Sequence, residues 1–437
     1  MKVTLINCGI PDFITNKEYM MSPAVLQLAG VLDEQHIKVE IIDLNTAEFP
    51  TEIDANIVGI SCLFSGQFPQ AIDISKRVKE INPNTIVIIG GIHATIFYRE
   101  ILENINTIDY VIIGEGESQL LSIINKTRLD DGIAFRWIDK RVAHFPKTKF
   151  IQNLDELPLP AYHLINFDKY RQDLSHWYNP KGLKFDLTVP IITSRSCPMK
   201  CTFCSNKLIM GSRIRFRSPS KVLGEIAWLY RNYRQNRFSF IDDNLAFNPQ
   251  HIMEICKGIL SENLNIQWET PNGMMIRGLT YKVVDLMAES GWVRGMIPIE
   301  SGNDYIRNQI MQKNLPREDI YRIINYIKKN HPHIYLRGLF IMGMPEDTPE
   351  TLQDTYNIIK DLSLDTFSIA NIMPFPGTRI YKQALRDNLF TVPIVDFWKE
   401  VRFDYNDNKQ FYIKPYAMTV EELQRWRLEF DNLKQGV

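Results

Sequence analysis

Residues 187–204 read LTVPIITSRSCPMKCTFC and decide the fold of this 437-residue chain. The apolar, β-branched run Leu187–Thr193 is typical of a buried strand. Directly after it come Cys197, Cys201 and Cys204, at spacings of four and three residues. Structural zinc usually takes four protein ligands, and no nearby Cys or His pair completes such a set. A [4Fe–4S] cluster held by three thiolates keeps one iron open for chemistry, so the spacing favours a cluster.

The composition is typical of a globular protein of two or three domains, with 45% hydrophobic and 23% charged residues. A net charge of −1 disfavours nucleic acid as the substrate. The start MKVTLINCGI has no secretory pattern, and no apolar run of about 18 residues predicts a membrane span. Six cysteines without a disulfide pattern favour a reducing cytoplasm, with Cys8, Cys62 and Cys256 as core thiols.

Residues 1–145 alternate short apolar strands with helical segments. This alternation predicts a parallel sheet covered on both faces, as in a flavodoxin-like doubly wound domain with strand order 2-1-3-4-5. The predicted strands are Lys2–Asn7, Val39–Asp43, Ile57–Ser61, Thr85–Ile89 and Asp109–Ile113, and the predicted helices are Pro23–Gln35, Phe68–Ile81 and a stretch near Glu100.

Small or flexible residues follow three of these strands. Ligands of doubly wound sheets bind beyond the carboxyl ends of the strands, and glycine lets the backbone approach a ligand closely. We therefore expect a bulky ligand at this edge. The residues are Ser61 and Ser65 after the third strand, Gly90, Gly91 and His93 after the fourth, and Gly114, Glu115, Gly116 and Glu117 after the fifth.

From residue 186 the alternation resumes with six β/α units, which predict a partial barrel over residues 186–385. Residues 146–185 predict an extended linker, because Pro158 and Pro160 disfavour helix. Residues 386–437 predict a C-terminal extension that either packs on the open side of the barrel or covers substrate. The predicted barrel strands are Leu187–Thr193, Phe238–Ile241, Asn265–Glu269, Val293–Glu300, Tyr335–Met342 and Thr366–Ile372. The whole chain is thus predicted to be α/β.

Every predicted barrel strand is followed by a polar or turn motif, at the end where such barrels place their active sites. Glu300 ends an apolar strand, and its two oxygens suit the vicinal hydroxyls of a ribose. The other motifs keep a second interpretation as helix caps or ordinary turns. They are Asp242, Asp243 and Asn244 after the second strand, Asn272 and Gly273 after the third, Gly343 and Pro345 after the fifth, and the segment Pro374–Thr378, which contains Pro376, after the sixth.

The cysteine spacing, with the aromatic Phe203 before the last cysteine, resembles the signature of the radical S-adenosylmethionine (SAM) enzymes. The barrel-mouth motifs follow in the order found in that family. Residues 22–44, 86–95 and 111–121 resemble its N-terminal cobalamin-binding domain. Over residues 1 to about 385 the chain therefore resembles the radical SAM proteins with a cobalamin-binding domain. That class includes radical methyltransferases and the anaerobic magnesium-protoporphyrin cyclase.

The resemblance implies a [4Fe–4S] cluster on the three cysteines, SAM on its open iron, cobalamin at the edge of the first sheet, an electron donor such as flavodoxin or ferredoxin, and a small-molecule substrate. It implies that Glu300 binds the SAM ribose. The other residues that it assigns to SAM are Phe203, Asp243, Asn272, Gly273, Gly343 and Pro376, and those that it assigns to cobalamin are Ser61, Gly90, Gly91, His93, Gly114, Glu115 and Gly116.

One departure concerns the first domain. The Asp-x-His-x-x-Gly pattern that supplies a cobalt-ligating histidine in methionine-synthase-type domains is absent, and neither His36 nor His93 has that context. The radical class commonly lacks this histidine, so the resemblance still implies cobalamin. A domain that has lost cobalamin is the alternative. His93 either contacts the corrin or bonds to loop backbone.

The chemistry implied by the resemblance is homolytic cleavage of SAM to a 5′-deoxyadenosyl radical, hydrogen abstraction from an unactivated carbon, and methyl transfer from methylcobalamin. A radical cyclase, oxidase or rearranging enzyme without methyl transfer is one alternative. A methylthiotransferase is another, although only Cys8 and Cys62 precede the motif and that family carries three N-terminal cluster cysteines. A cobalamin or iron–sulfur sensor is a third, which would have no need of the SAM motifs.

Overall fold

The structure is a computed structural model that describes residues 1–11, 14, 18–173, 181–184, 186–394, 397–400 and 410–435. The chain divides into two compact units. The first comprises the described residues within Met1–His176, Leu208–Gly211 and Val395–Phe403. The second comprises those within Trp177–Lys207, Ser212–Ile394 and Asp404–Val437. None of the described helices is long and apolar enough to cross a bilayer.

The first unit contains a seven-stranded sheet with the order β2-β1-β3-β4-β5-β6-β7. Strands β1–β5 are parallel, which confirms the predicted doubly wound sheet with order 2-1-3-4-5. Strands β6 and β7 extend it as an antiparallel hairpin that the sequence analysis missed. The strands are β1 (Lys2–Asn7), β2 (Lys38–Asp43), β3 (Ile57–Ser61), β4 (Ile86–Gly90), β5 (Tyr110–Ile112), β6 (Ile133–Arg136) and β7 (Val142–Phe145).

Residues 146–173 of the predicted linker belong to the first unit, whereas its other described residues, 181–184, belong to the second. Ala161 is buried in the core of the first unit, and its N–H donates to the Leu26 carbonyl at 3.0 Å. Tyr170 donates its hydroxyl to Asp43 at 2.9 Å. The rest of the predicted linker at 174–180 and 185 lies outside the described residues.

The second unit contains a six-stranded, all-parallel sheet with the order β15-β14-β13-β12-β11-β8. The six strands and their helices are the predicted partial barrel. A separate two-stranded ladder joins β9 to β10. The strands are β8 (Val189–Ile191), β9 (Ser194–Arg195), β10 (Arg215–Phe216), β11 (Arg237–Phe240), β12 (Gln267–Thr270), β13 (Trp292–Glu300), β14 (Tyr335–Met342) and β15 (Thr366–Asn371).

Several helices begin with proline in the first turn after a Ser, Thr or Asn cap. The cap side chain accepts a free backbone N–H, and the proline ring pre-sets φ for the helix. The α-helices are α1 (Pro23–Glu34), α2 (Phe68–Ile81), α3 (Ile92–Ile96), α4 (Tyr98–Asn104), α5 (Glu117–Ile124), α6 (Asn206–Met210), α7 (Pro219–Tyr233), α8 (Pro249–Ser261), α9 (Tyr281–Glu289), α10 (Arg317–Asn330), α11 (Pro349–Asp361), α12 (Arg379–Arg386), α13 (Phe397–Glu400) and α14 (Val420–Gln435). A π-helix spans Ile306–Ile310, and 3-10 turns span Ser65–Gln67, Leu154–Glu156, Tyr162–Leu164, Phe167–Tyr170 and Leu245–Phe247.

Helix α14 packs against β15, the edge strand of the barrel sheet. The buried Arg427 donates Nη1 to the Ile369 carbonyl at 2.7 Å, and Phe430 packs on Tyr356 of α11. An edge carbonyl without a strand partner needs another donor. The described part of the predicted C-terminal extension in the second unit therefore covers the edge of the sheet.

Candidate functional site

The predicted first barrel strand divides into β8 and β9, because an aspartate interrupts the ladder between them. Asp242 accepts both the backbone N–H and the hydroxyl of Thr193 and the hydroxyl of Ser194. Burial raises the pKa of Asp242 to about 6, although these donors oppose the rise. Asp242 thus holds the backbone and side chains that lead into the cysteine loop, and no described contact directs it toward a ligand.

The β9–β10 ladder closes the loop that carries the three cysteines. Ser196 enters the loop with φ of 75°, a conformation that non-glycine residues rarely adopt. Its N–H donates to Asp243 Oδ2 at 3.0 Å. Cys197 and Cys201 are half-buried, whereas Cys204 is exposed. The predicted SAM residue Asp243 therefore fixes the entry to the cysteine loop.

The sulfur atoms have donors and a cation near them. Asn206 donates its backbone N–H to Cys204 Sγ at 3.5 Å, and Asn244 Nδ2 lies 3.9 Å from Cys197 Sγ. Burial, together with Glu300 and the other two cysteines and against the opposing effect of Lys313, raises the pKa of Cys201 to about 12. Lys313 lowers the pKa of all three thiols. A metal cluster bound here would offset the burial and mutual repulsion that oppose three thiolates on one loop.

Among the described residues, no three His, Cys, Asp or Glu side chains surround a single point as for one metal ion. A cubane binds each thiolate through a different iron, so it does not need such convergence. The donors to sulfur, the mutual repulsion of the sulfurs and the nearby lysine fit a three-cysteine cluster.

Thr202 ties the cysteine loop to the barrel. Its N–H donates to the Met311 carbonyl and its hydroxyl to the Ile310 carbonyl, both at 3.0 Å. Its own carbonyl accepts the Ile380 N–H at 3.2 Å. Phe203 packs on an apolar cluster that includes Met311 and Ile380. Phe203, a predicted cofactor contact, therefore also anchors the loop.

Glu300 ends β13 in a strained, buried position. Its φ is 71°, and the register with β14 is irregular between Pro298 and Glu300. Its Oε1 accepts a hydrogen bond from Lys313 Nζ at 2.6 Å. Burial would lower the pKa of Lys313, but Glu300 and the cluster cysteines more than offset this and raise it. Sequence reasoning missed Lys313, whose role depends on loop closure.

Asn272 and Gly273 form the turn after β12. Asn272 donates Nδ2 to the Ile241 carbonyl at 2.6 Å, so its amide links two strand ends. Gly273 has φ of 91°, and a Cβ added there would lie 3.3 Å from side-chain carbons of Pro298. A side chain at this turn would therefore crowd the end of β13.

The turn after β14 is organised by Asp347, which sequence reasoning also missed. Asp347 Oδ2 accepts the N–H groups of Gly343 and Met344 at 2.9 Å, and Oδ1 accepts the Thr351 hydroxyl at 2.9 Å. Gly343 has φ of 89°. Burial raises the pKa of Asp347 to about 6. The turn predicted to approach adenine is thus built on a buried carboxylate.

Replacing Asp347 by Asn should stabilise the barrel at neutral pH and change its pH dependence. The folded protein holds the Asp347 proton up to about pH 6, whereas the ordinary pKa is 3.8. Between these values the folded state binds more protons, so the free energy of unfolding falls as pH rises. We expect Asp347→Asn to remove that fall, which is on the order of 3 kcal/mol across the two pKa values.

The amide can keep the network, since its oxygen can accept from Gly343 and Met344 while its nitrogen donates to Thr351. Denaturant unfolding of the variant and wild type at pH 4.5 and pH 7 measures the difference. An equal fall in the free energy of unfolding from pH 4.5 to pH 7 in both proteins would refute the raised pKa of Asp347.

The segment after β15 ends in a capped turn. Gly377 has φ of 88°, and Thr378 donates its hydroxyl to the Phe375 carbonyl at 2.6 Å before capping α12. Pro376 is part of this turn and is half-buried. The turn leads directly into Ile380, which holds the cysteine loop through Thr202.

Alternate residues of β14 differ in exposure. Arg337, Leu339 and Ile341 are partly exposed, whereas Gly338 and Phe340 between them are buried. One face of the strand is therefore accessible from outside the protein. This face of β14 extends toward the carboxyl end of the strand, where Gly343 lies.

In the first unit, the glycines at the strand ends divide into two groups. A Cβ on Gly91, whose φ is 108°, would lie 2.2 Å from the Cys62 carbonyl oxygen, and one on Gly114 would lie 2.8 Å from the Ile209 carbonyl oxygen. These glycines are required by packing within the chain. Gly90 and Gly116 leave more room, with nearest atoms at 3.9 Å and 3.5 Å.

His93 lies at the start of α3 and is 1% exposed. Its Nδ1 is 2.9 Å from the Ser65 hydroxyl, and its ring packs between Phe68 and Phe97 at centroid distances of 4.3 Å and 4.8 Å. Burial lowers the pKa of His93 to about 3, so the ring is neutral. Its Nε2 is buried and has no hydrogen-bond partner among the described residues. A buried polar atom of this kind fits a ligand group at this edge.

The acidic residues near Gly116 have structural partners. Glu115 accepts the Ile151 N–H at 3.0 Å, and Asp131 pairs with Lys147 at 3.2 Å with both side chains buried. Ser61, by contrast, offers its carbonyl to the Cys8 N–H at 3.2 Å. Of the predicted cobalamin residues, His93 therefore carries the strongest sign of a ligand.

Comparison with known proteins supports both units separately. A B12 binding domain model matches residues 13–124, and a Radical SAM superfamily model matches residues 191–359. An uncharacterized methyltransferase of Pyrococcus horikoshii is 31% identical over 375 residues, which cover 83% of this chain and 78% of that protein. A cytidylyl-2-hydroxyethylphosphonate methyltransferase of Streptomyces wedmorensis is 27% identical over 391 residues, with coverages of 81% and 71%.

Among solved structures, the radical SAM methyltransferase TsrM from Kitasatospora setae, with a tryptophan substrate and a SAM analogue bound, has a TM-score of 0.72 to this chain. The alignment covers 97% of this chain and 82% of TsrM at 15% identity. At this identity the likeness shows the fold.

Proposed function

This chain belongs to the radical SAM proteins that carry an N-terminal B12-binding domain, and from that premise we propose that it methylates an unactivated carbon of a small molecule. The methyltransferase relatives support methyl transfer, and the observation that supports SAM chemistry in this chain is the position of Lys313, which pairs with Glu300 and acts on all three cysteines. That pair joins the proposed cluster ligands to the proposed SAM residue in one barrel mouth.

When bound, the cluster and SAM supply a 5′-deoxyadenosyl radical, and methylcobalamin supplies the methyl group. Cys197, Cys201 and Cys204 would hold the cluster, and Asp243 would hold the loop that presents them. Lys313 would balance the negative charge of the thiolates and of a SAM carboxylate. Glu300 would accept hydrogen bonds from the ribose hydroxyls.

The remaining SAM contacts that we propose surround this core. Asn272 and Gly273 lie at the turn after β12, Gly343 lies at the turn held by Asp347, and Pro376 lies at the turn that precedes α12. The Gly343 N–H already donates to Asp347 and Pro376 has no N–H, so these turns would contact SAM through carbonyl and apolar groups and through the close approach that glycine allows. The accessible face of β14 below Gly343 is the place that we propose for the substrate.

In the first unit, we propose that the edge formed by the ends of β3, β4 and β5 binds cobalamin. His93 Nε2 would supply a polar contact, and Gly90 and Gly116 would leave room for the ligand. Ser61, Gly91, Gly114 and Glu115 would shape the same edge through their contacts within the chain.

Replacing His93 by Phe should weaken cobalamin binding by about tenfold, since it removes one polar contact and keeps the aromatic packing. Equilibrium dialysis with hydroxocobalamin measures the affinity without catalysis. His163→Ala removes an exposed histidine of the same unit and should bind cobalamin like wild type. Wild-type affinity in a folded His93→Phe protein would refute the role of Nε2.

The radical reaction needs one electron from outside the chain. We propose a small acidic donor such as flavodoxin or ferredoxin, and a cytoplasmic location in which thiols stay reduced. The exposed Cys204 gives such a donor access to the cluster loop.

Anaerobic incubation of the reconstituted protein with methyl-labelled SAM, cobalamin and candidate metabolites tests the proposal. We expect label on a carbon of one metabolite, together with 5′-deoxyadenosine. Formation of 5′-deoxyadenosine with an altered but unlabelled product would instead assign a cyclase or rearranging enzyme and contradict methylation.

A further inference from the structure

We propose that Arg307 is the positioning residue of the SAM site, because its guanidinium closes the loop that begins at Glu300 and contains Lys313. This inference rests on the proposed function, which identifies the loop as part of the SAM site. Arg307 is fully buried, with 0% of its side chain exposed. It touches neither a proposed cluster ligand nor Glu300 in the described contacts, so its effect passes through the loop.

The guanidinium binds both ends of the loop at once. Nη1 donates to the carbonyl of Ser301, the residue after Glu300, at 2.8 Å. Nε donates to the carbonyl of Leu315, two residues after Lys313, at 2.8 Å. Nη2 contacts the Asp304 carboxylate, which supplies the countercharge. The guanidinium therefore bonds to backbone close to both members of the Glu300–Lys313 pair, and Asn308 and Arg317 add bonds to Leu315 and Gly302.

The backbone of the same segment is wound as a π-helix, a rare form that is frequent at functional sites. The Met311 N–H donates to the Ile306 carbonyl at 2.8 Å, and the Lys313 N–H donates to the carbonyl of Arg307 itself at 3.0 Å. Arg307 thus holds Lys313 through its backbone and holds Ser301, the residue after Glu300, through its side chain.

The π-helix also meets the cysteine loop. The carbonyls of Ile310 and Met311 receive the hydroxyl and the N–H of Thr202, which lies between Cys201 and Cys204. A shift of this segment would move the cysteine loop relative to Lys313. Arg307 therefore controls how Glu300, Lys313 and the cysteine loop are placed relative to one another around the proposed SAM site.

Only arginine offers this set of donors. Its planar fork presents donors in several fixed directions, whereas lysine is a compact point charge. Arg307→Lys keeps the charge opposite Asp304, but one ammonium cannot bridge the Ser301 and Leu315 carbonyls in the same way. Arg307→Met keeps the bulk and removes every donor.

The test compares wild type, Arg307→Lys, Arg307→Met and Arg231→Met after anaerobic reconstitution. Arg231 is an exposed arginine of α7 paired with Glu262, so its variant is the matched control. Iron content, SAM affinity and the electron paramagnetic resonance spectrum of the reduced cluster, with and without SAM, are measured. The SAM-induced change of that spectrum reports coordination rather than folding.

We expect both Arg307 variants to retain iron, to bind SAM about tenfold more weakly, and to lose most of the SAM-induced spectral change. Arg231→Met should match wild type. A folded variant with wild-type affinity and spectral change would overturn the proposal. So would loss of the cluster from both variants, since Arg307 would then serve only to fold the cysteine loop.

Wild type separates this inference from the proposed function. If wild type shows no cubane or no response to SAM, the function fails. If wild type responds and the Arg307 variants respond equally, only the positioning role fails.

Discussion

Cys201→Ala should reduce 5′-deoxyadenosine formation to background and lower the iron content of the reconstituted protein. Cys201 lies at the centre of the loop, with its sulfur close enough to those of Cys197 and Cys204 to raise its pKa. A cubane that loses one of three protein thiolates is left with two anchors and a second exposed iron. The expected effect is therefore loss of function rather than a graded change.

Cys256→Ala is the matched control for this substitution. Cys256 is a buried thiol on α8, and burial raises its pKa to about 12, so it remains a neutral core thiol. We expect the control to keep its iron and its SAM cleavage. Iron and 5′-deoxyadenosine assays on both variants decide the matter. SAM cleavage by Cys201→Ala protein would contradict the cluster assignment.

Breaking the Glu300–Lys313 pair should have the second largest effect. Both side chains are 9% exposed, so Lys313→Met leaves a buried carboxylate without its cation. Removing one partner of a buried pair costs roughly 3–5 kcal/mol. Glu300→Gln leaves Lys313 beside the cysteines, which still attract it, and should be milder for folding.

The double variant separates folding from binding. Glu300→Gln with Lys313→Met removes both charges, so the stability lost in Lys313→Met should largely return. SAM affinity should stay reduced by about tenfold or more, because the ribose acceptor and the carboxylate donor are both lost. Denaturant unfolding and SAM titration give the two halves of the cycle. Wild-type SAM affinity in the double variant would assign the pair to structure alone.

Local periodicity predicted most of the fold. The apolar strands β1–β5 and β11–β15 alternate with helices, several of which begin with Ser, Thr or Asn before proline, and these signals lie within short windows of sequence. The hairpin β6–β7 was missed because its short strands contain polar residues, Arg136 and His144, and lack the continuous apolar run that marks β3 and β4.

The cysteine spacing predicted the candidate cluster loop, and the end of an apolar strand drew attention to Glu300. Lys313, Asp347 and Arg307 could not be found in that way. Asp347 and Arg307 act through hydrogen bonds to backbone groups of a folded loop, and Lys313 acts through the carboxylate of Glu300. No local pattern marks which charged side chain will face inward. Gly91 and Gly114 were easy to identify in the sequence as candidate ligand contacts, but close packing against other parts of the chain is enough to require glycine there.

Mössbauer spectroscopy of ⁵⁷Fe-enriched, oxygen-protected protein, recorded before and after addition of SAM, shows directly whether the three cysteines hold a cubane with an open iron. We predict a [4Fe–4S] cluster in which one iron changes its isomer shift when SAM binds. A protein without a cubane, or a cubane whose irons are all unaffected by SAM, would contradict this prediction.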